Sequence, residues 1–134
     1  MSYKLIAIDM DGTLLNDDNL IGENTQKALR KATLNGKYTV FATGRMMKSA
    51  MNYANRLNLN KPIISCNGAI ITNKDKEIIF GGNIDHDVVR KVDQIARKYN
   101  TYYHFYSEDK LYTSNYFEKI NEFYNKNSKG DEVI

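Results

Sequence analysis

Two aspartates stand two residues apart in Asp9-Met10-Asp11-Gly12-Thr13-Leu14-Leu15, directly after the apolar run Leu5-Ile6-Ala7-Ile8. In extended backbone, side chains i and i+2 point to the same side, so Asp9 and Asp11 present two carboxylates to one space. Gly12 lets the chain turn sharply just beyond them. Paired carboxylates at one strand end can divide the work of phosphoryl transfer. One attacks phosphorus and forms an aspartyl-phosphate. The other protonates the leaving oxygen, then activates the water that hydrolyses the intermediate. An all-oxygen site of this kind suits a hard cation such as Mg²⁺, which offsets the charge of a phosphate ester. A plain polar turn after a strand and a calcium loop are the competing readings of the same letters, and the calcium loop can be tested on them. Counted from Asp9, it requires Gly at the sixth position and Glu at the twelfth. Those positions hold Leu14 and Leu20, so that reading fails.

A second cluster, Thr43-Gly44-Arg45, follows the apolar run ending Val40-Phe41-Ala42. A hydroxyl, a permissive backbone and the free N–H groups of a helix start make a place for phosphoryl oxygens. Arg45 is suited to pair with a phosphate or to cap the pocket. On its own, Thr-Gly-Arg is equally a plain strand-to-helix turn. A third, Ser65-Cys66-Asn67-Gly68-Ala69, offers the Asn67 amide to a substrate oxygen, although Asn-Gly is also a common turn pair.

The elements that must position these clusters can be read from periodicity. Residues 5–8 form a continuous apolar run suited to a strand covered on both faces. Residues 23–35 read as a helix with Ala28, Leu29 and Ala32 on one face and Gly36 as its stop. Residues 38–42 read as a strand, 46–57 as a helix striped by Ala50, Tyr53, Ala54 and Leu57, and 62–66 as a third strand. This alternation predicts a doubly wound α/β sheet, with ligands at the C-terminal strand ends where all three clusters fall. Residues 69–72 and 77–80 then read as a hairpin around Asn73-Lys74-Asp75-Lys76. Gly81-Gly82 marks a linker. An amphipathic helix follows over 85–99, with Val88, Val92, Ile95, Ala96 and Tyr99 at helical spacing. Strands are predicted over 101–106 and 110–113, around a turn at Ser107-Glu108-Asp109. A last helix over 116–124 fades into a polar tail.

Composition sets the outer limits. The 134 residues carry a net charge of +3 with both signs interspersed, and the extended basic stripe of a nucleic-acid binder is absent. The apolar run near the N-terminus is too short for a signal peptide core or a membrane span. Cys66 is the only cysteine, which fits a reducing compartment, so a cytoplasmic setting is expected. Cys66 reads as a small core residue rather than a nucleophile. His86 and His104 lack metal-ligand spacing. Tyr102, Tyr103, Tyr106 and Tyr112 read as sheet packing, and Asp17-Asp18 as a solvated loop.

On Asp9-Met10-Asp11-Gly12-Thr13-Leu14, Thr43-Gly44-Arg45 and Asn67-Gly68-Ala69, the chain resembles the haloacid dehalogenase superfamily, in particular its Cof-type sugar-phosphate phosphatases. The resemblance runs over essentially the whole chain. It implies Asp9 as nucleophile and Asp11 as acid/base. It also implies Mg²⁺ held by the Asp9 carboxylate and the Asp11 backbone carbonyl, with Thr43 against the phosphoryl group. The implied fold is a Rossmann-like three-layer α/β core, with residues 1–82 as its N-terminal part. Residues 83–134 would begin a C2-type α+β cap. The implied reaction is hydrolysis of a small phosphorylated metabolite; a phosphomutase or phosphotransferase would use the same aspartates with a different acceptor. Family members also carry a lysine and a Gly-Asp-x-x-Asn-Asp type loop after the cap, and neither occurs in this sequence. The expectation is therefore a truncated chain whose first strand is an exposed apolar edge open to self-association. As an alternative, the fragment is catalytically incomplete and only binds phosphate or self-associates.

Overall fold

The computed structural model describes residues 3–107, 110–113 and 132–133. The chain divides into two compact units, Met1–Gly81 and Gly82–Ile134.

In the first unit, β1 (Leu5–Ile8), β2 (Tyr38–Ala42) and β3 (Ile63–Ser65) are joined by α1 (Glu23–Leu34) and α2 (Met47–Arg56). β4 (Ile70–Thr72) and β5 (Ile78–Gly81) complete one sheet in the order β1-β2-β3-β4-β5. The first three strands are parallel, with Ile8 opposite Phe41 and Ala42 opposite Ile64. β4 and β5 continue antiparallel, as a hairpin. The hairpin turn is closed by Asn73, whose side-chain oxygen accepts from the N–H groups of Asp75 and Glu77 at 2.9 and 3.0 Å. α1 begins with acidic Glu23, carries Lys31 in its last turn, and stops at Asn35 before Gly36 at φ +71°. Charge at both ends thus complements the helix dipole.

One apolar cluster unites Met10, Leu14, Leu15, Phe41, Met47, Ala50, Ala54, Leu59 and Ile63, with Leu29 of α1 packed against it. Both helices therefore cover the same face of the sheet. Within these residues the strands keep sequence order, and the reversal that makes a sheet doubly wound does not occur. β1 is the edge strand, and Leu5 is 58% exposed.

The second unit is built on α3 (His86–Tyr99), whose N-cap Asp85 accepts from the Asp87 N–H at 3.0 Å. Asn100 ends it in left-handed backbone at φ 48°. β6 (Phe105–Ser107) pairs antiparallel with β7 (Lys110–Tyr112), and β7 pairs parallel with β8 (Glu132–Val133). Three expectations change here. The predicted strand over 101–106 shortens, because its first backbone groups are engaged elsewhere. The Thr101 N–H donates to Ala96 at 3.0 Å, and the Tyr103 carbonyl accepts from the Thr113 hydroxyl at 2.6 Å. The predicted apolar stripe of α3 is split: Val88, Ile95 and Tyr99 are exposed, while Val92 and Ala96 lie with Val89 and Asp93 on the less exposed face. Asp93 is drawn to that face because it accepts from both the Arg97 guanidinium and the Tyr103 hydroxyl. The region read as a fading polar tail contributes β8. The predicted turn at residues 108–109 and the predicted helix over 116–124 lie outside the described residues.

Burial pushes the His104 imidazole below its ordinary value of 6.5. Its folded form thus favours the neutral ring, and below that pH the unfolded chain binds more protons. Stability must therefore fall as pH drops from 6.5 towards the folded value. Urea unfolding of the second unit is expected at lower denaturant at about pH 5.5 than at about pH 7.5. His104→Gln is expected to flatten that difference; an unchanged slope in the variant would remove His104 as its source.

Candidate active site

The first corner of the site is the turn after β1. Asp9 is extended at φ −72°, ψ 152°, and Asp11 at φ −78°, ψ 126°. Between them Met10 is fully buried, while Asp9 and Asp11 are exposed. The alternation expected from their spacing is therefore present: Met10 anchors the segment in the core and both carboxylates face outward. Gly12, at φ +71°, reverses the chain, and the Leu15 N–H closes the turn on the Met10 carbonyl at 2.9 Å. Leu14 and Leu15 return to the core beneath it.

The second corner follows β2. Because β1 and β2 are parallel neighbours in register, Thr43 and Gly44 emerge beside Asp9 at the same end of the sheet. Thr43 is buried, and its N–H continues the ladder to the Ile64 carbonyl at 2.9 Å. Its hydroxyl oxygen accepts from the Arg45 N–H at 3.1 Å. The hydroxyl hydrogen is not consumed by that bond and remains a donor. The third corner, Cys66-Asn67-Gly68, takes three consecutive positive φ values of 50°, 55° and 92°. It is tied to the second by the Cys66 N–H on the Arg45 carbonyl at 2.9 Å and the Asn67 N–H on the Thr43 carbonyl at 3.1 Å. All three predicted clusters therefore meet at one end of one sheet.

Gly44 and Asn67 interlock. A Cβ at Gly44 would lie 2.9 Å from the Asn67 side-chain oxygen. Gly44→Ala is expected to push that amide aside. Because the clash is with the end of a side chain, the folding cost should be small, about 1 kcal/mol. Urea unfolding and a double variant test the contact: Asn67→Gly, which suits the positive φ, should recover the stability lost in Gly44→Ala. Simple additivity of the two changes would refute the interlock.

Arg45 is engaged by Asp11. Its guanidinium forms a two-pronged pair with Asp11, Nε to Oδ2 at 2.8 Å and Nη2 to Oδ1 at 2.6 Å. Such parallel bonds fix the plane of a carboxylate as well as its charge. Arg45 also donates to Asn19 Oδ1 at 3.2 Å and Ser49 Oγ at 3.3 Å, and lies 5.3 Å from the Tyr53 ring centroid. Its side chain is 10% exposed, against 55% for Asp11. Asn19, Ser49 and Tyr53 were not legible as site residues. For two of them a signal existed: Arg45, Ser49 and Tyr53 are spaced i, i+4, i+8, one face of a helix. Nothing in the sequence pointed to Asn19.

Among the described residues, no group of three His, Cys, Asp or Glu side chains comes together as a metal site. Both Asp11 carboxylate oxygens accept from Arg45; the Asp9 carboxylate and the Asp11 backbone carbonyl are the oxygen donors that the family resemblance implies. Two protein oxygens fit the habit of Mg²⁺, which keeps several waters and takes few carboxylates.

A parallel-rich α/β sheet thus carries paired carboxylates and a hydroxyl at its C-terminal strand ends. The profile of the haloacid dehalogenase-like hydrolases matches residues 6–134, and the chain belongs to that family. Over 91% of its length it is 34% identical to the 5-amino-6-(5-phospho-D-ribitylamino)uracil phosphatase YcsE of Bacillus subtilis, covering 49% of that protein. Over 90% it is 36% identical to the putative phosphatase YxeH of Bacillus subtilis, covering 46% of it. The chain thus spans about half the length of these relatives. Among solved structures, a haloacid dehalogenase-like hydrolase from Bacteroides thetaiotaomicron superposes with a TM-score of 0.82 at 27% identity. That match covers 99% of this chain and 51% of the other. No helix among the described residues is long and apolar enough to cross a membrane.

Proposed function

We propose that this chain carries the nucleophile and proton carrier of a Mg²⁺-dependent phosphatase acting on small phosphate monoesters, sugar phosphates among them. The observation that carries the reading is the placement of the Asp9-Met10-Asp11 turn beside Thr43-Gly44, at the ends of two paired parallel strands. Asp9 is exposed and extended, so its carboxylate is free to attack phosphorus in line. Thr43 offers its hydroxyl, and the Gly44 backbone and Asn67 amide offer further donors, to the phosphoryl oxygens. Asp11, held by Arg45, gives its proton to the leaving oxygen and then draws one from the attacking water. The Asp9 carboxylate and Asp11 carbonyl would hold Mg²⁺, which when bound supplies charge to balance the phosphoryl oxygens. The name of the YcsE relative, a phosphatase for a phosphoribityl compound, supports a small phosphorylated metabolite as substrate. A single cysteine in the sequence supports a cytoplasmic setting.

The test is phosphate release from a panel of sugar phosphates and p-nitrophenyl phosphate, with Mg²⁺ and with a chelator. Mg²⁺-dependent release, with a phosphorylated Asp9 trapped and located by mass spectrometry, is the expected result. Phosphate passed to an added sugar in preference to water would identify a phosphotransferase instead. Absence of both products would leave phosphate binding as the activity of this chain.

A further inference from the structure

We propose that Asn19 and Tyr53 are positioning residues that clamp the Arg45 guanidinium against Asp11 and thereby fix the direction in which Asp11 hands over its proton. The inference rests on the phosphoryl-transfer reading above and adds the parts that make its acid directional.

An arginine has a long, mobile side chain and aims a carboxylate only if it is itself held. Arg45 is braced from three directions. Ser49 holds it from one turn along α2, the Tyr53 ring lies against it, and Asn19 reaches it from a loop 26 residues earlier. That loop is built for the task. The Asn16 side-chain oxygen accepts from the Asp18 and Leu20 N–H groups at 3.1 and 2.8 Å. The Asn16 N–H binds the Leu20 carbonyl and the Asn19 N–H binds the Asn16 carbonyl, each at 2.9 Å. Within this closed ring, Asn19 sits at φ +57°. Left-handed backbone is unfavourable for a non-glycine residue, least so for Asn and Asp. The strained residue is the one whose two oxygens leave the loop. Its side-chain oxygen accepts from Arg45, and its carbonyl accepts from the Tyr53 hydroxyl at 3.0 Å. A segment that only linked the first turn to α1 would need neither contact.

The chemical consequence concerns one proton. As the Asp9 oxygen bonds to phosphorus and the ester P–O bond breaks, the leaving oxygen takes the proton of Asp11. The two-pronged pair is that of the Asp11 carboxylate, the form left once its proton has gone to the leaving oxygen. Arg45 uses one lone pair on each oxygen, so the proton leaves from and returns to a remaining lone pair in a plane the guanidinium sets. Water then attacks phosphorus, Asp11 recovers a proton from it, and Asp9 is released as carboxylate. A loosened clamp misdirects the donor without touching the nucleophile.

The experiment compares two leaving groups. p-Nitrophenolate departs without protonation; the alkoxide of glycerol 3-phosphate does not. Asn19→Ala and Tyr53→Phe are expected to lower kcat on glycerol 3-phosphate by about 10-fold more than on p-nitrophenyl phosphate, a fraction of what a general acid contributes. KM should change little on either. Asn19→Asp, which keeps the acceptor and tolerates the backbone, should restore the ratio. Equal losses on both esters, or none, would overturn the proposal. A readout independent of turnover is the Arg45 Nε proton in NMR, expected to be protected from exchange in the unmodified chain and exposed in Asn19→Ala. Protection unchanged in a folded Asn19→Ala chain also overturns it. If the unmodified chain hydrolyses neither ester, the phosphatase reading is what fails, and the Arg45 resonance still decides whether Asn19 clamps Arg45.

Discussion

Asp9→Asn is expected to abolish turnover, lowering kcat by on the order of 10⁴-fold or more, as loss of a residue that acts as a catalytic unit does elsewhere. The substitution is nearly isosteric. Asp9 lies in ordinary extended backbone with an exposed side chain, so the fold has little reason to notice. The chemistry does. A carboxamide is a poor nucleophile towards phosphorus and contributes no charge to a divalent cation. The check is phosphate release under saturating ester and Mg²⁺, alongside urea unfolding of the same sample. The unfolding free energy should stay within about 0.5 kcal/mol of the starting protein, the usual range for a surface substitution. Turnover that persisted would remove Asp9 as nucleophile and with it the reaction proposed here.

Phe41→Ala is expected to have the largest effect on stability, about 3–5 kcal/mol. Phe41 is fully buried in β2, between parallel neighbours on either side, and belongs to the same cluster as Met10, Leu14 and Ile63. Removing the ring opens a hole in the cluster that includes Met47, Ala50 and Ala54, and a sheet pinned by its ladder closes it poorly. Against the total stability of a small domain, about 5–15 kcal/mol, the loss is a large share. The urea midpoint of the first unit should fall accordingly. A shift below about 1 kcal/mol would mean that the site refills. Met10, the residue between the two aspartates, packs into this cluster, so the variant should also loosen the active-site turn.

Much of this site was written in local patterns. Asp9 and Asp11 needed only the period of a strand, Gly12 only its freedom at positive φ, and Thr43-Gly44 only a place at the end of an apolar run. What local pattern could not supply was the partner of a long side chain. Arg45 read equally well as a phosphate ligand, since a guanidinium suits carboxylate and phosphate alike. Its choice of Asp11 depends on how α2 and the Asn19 loop come together, a tertiary fact. The same limit explains α3. Its apolar stripe was read correctly as a helix, but the inward face takes only Val92 and Ala96 of it and adds Asp93, which accepts from Arg97 and Tyr103. Residues 101–104 carry strand-like letters, yet their hydrogen bonds go to the end of α3 and to Thr113. A pattern of types does not say which partner a backbone group will take.

The Asp11–Arg45 pair also governs the order in which a reaction can be assembled. The guanidinium charge is spent in place, while Asp9 has no ion pair among the described residues. To an approaching dianionic ester, these side chains present a surplus of negative charge, and encounter between like charges is slow. On the reading proposed above, a cation held at Asp9 would cancel that surplus, and capture of the ester should then follow the supply of metal as closely as the supply of ester.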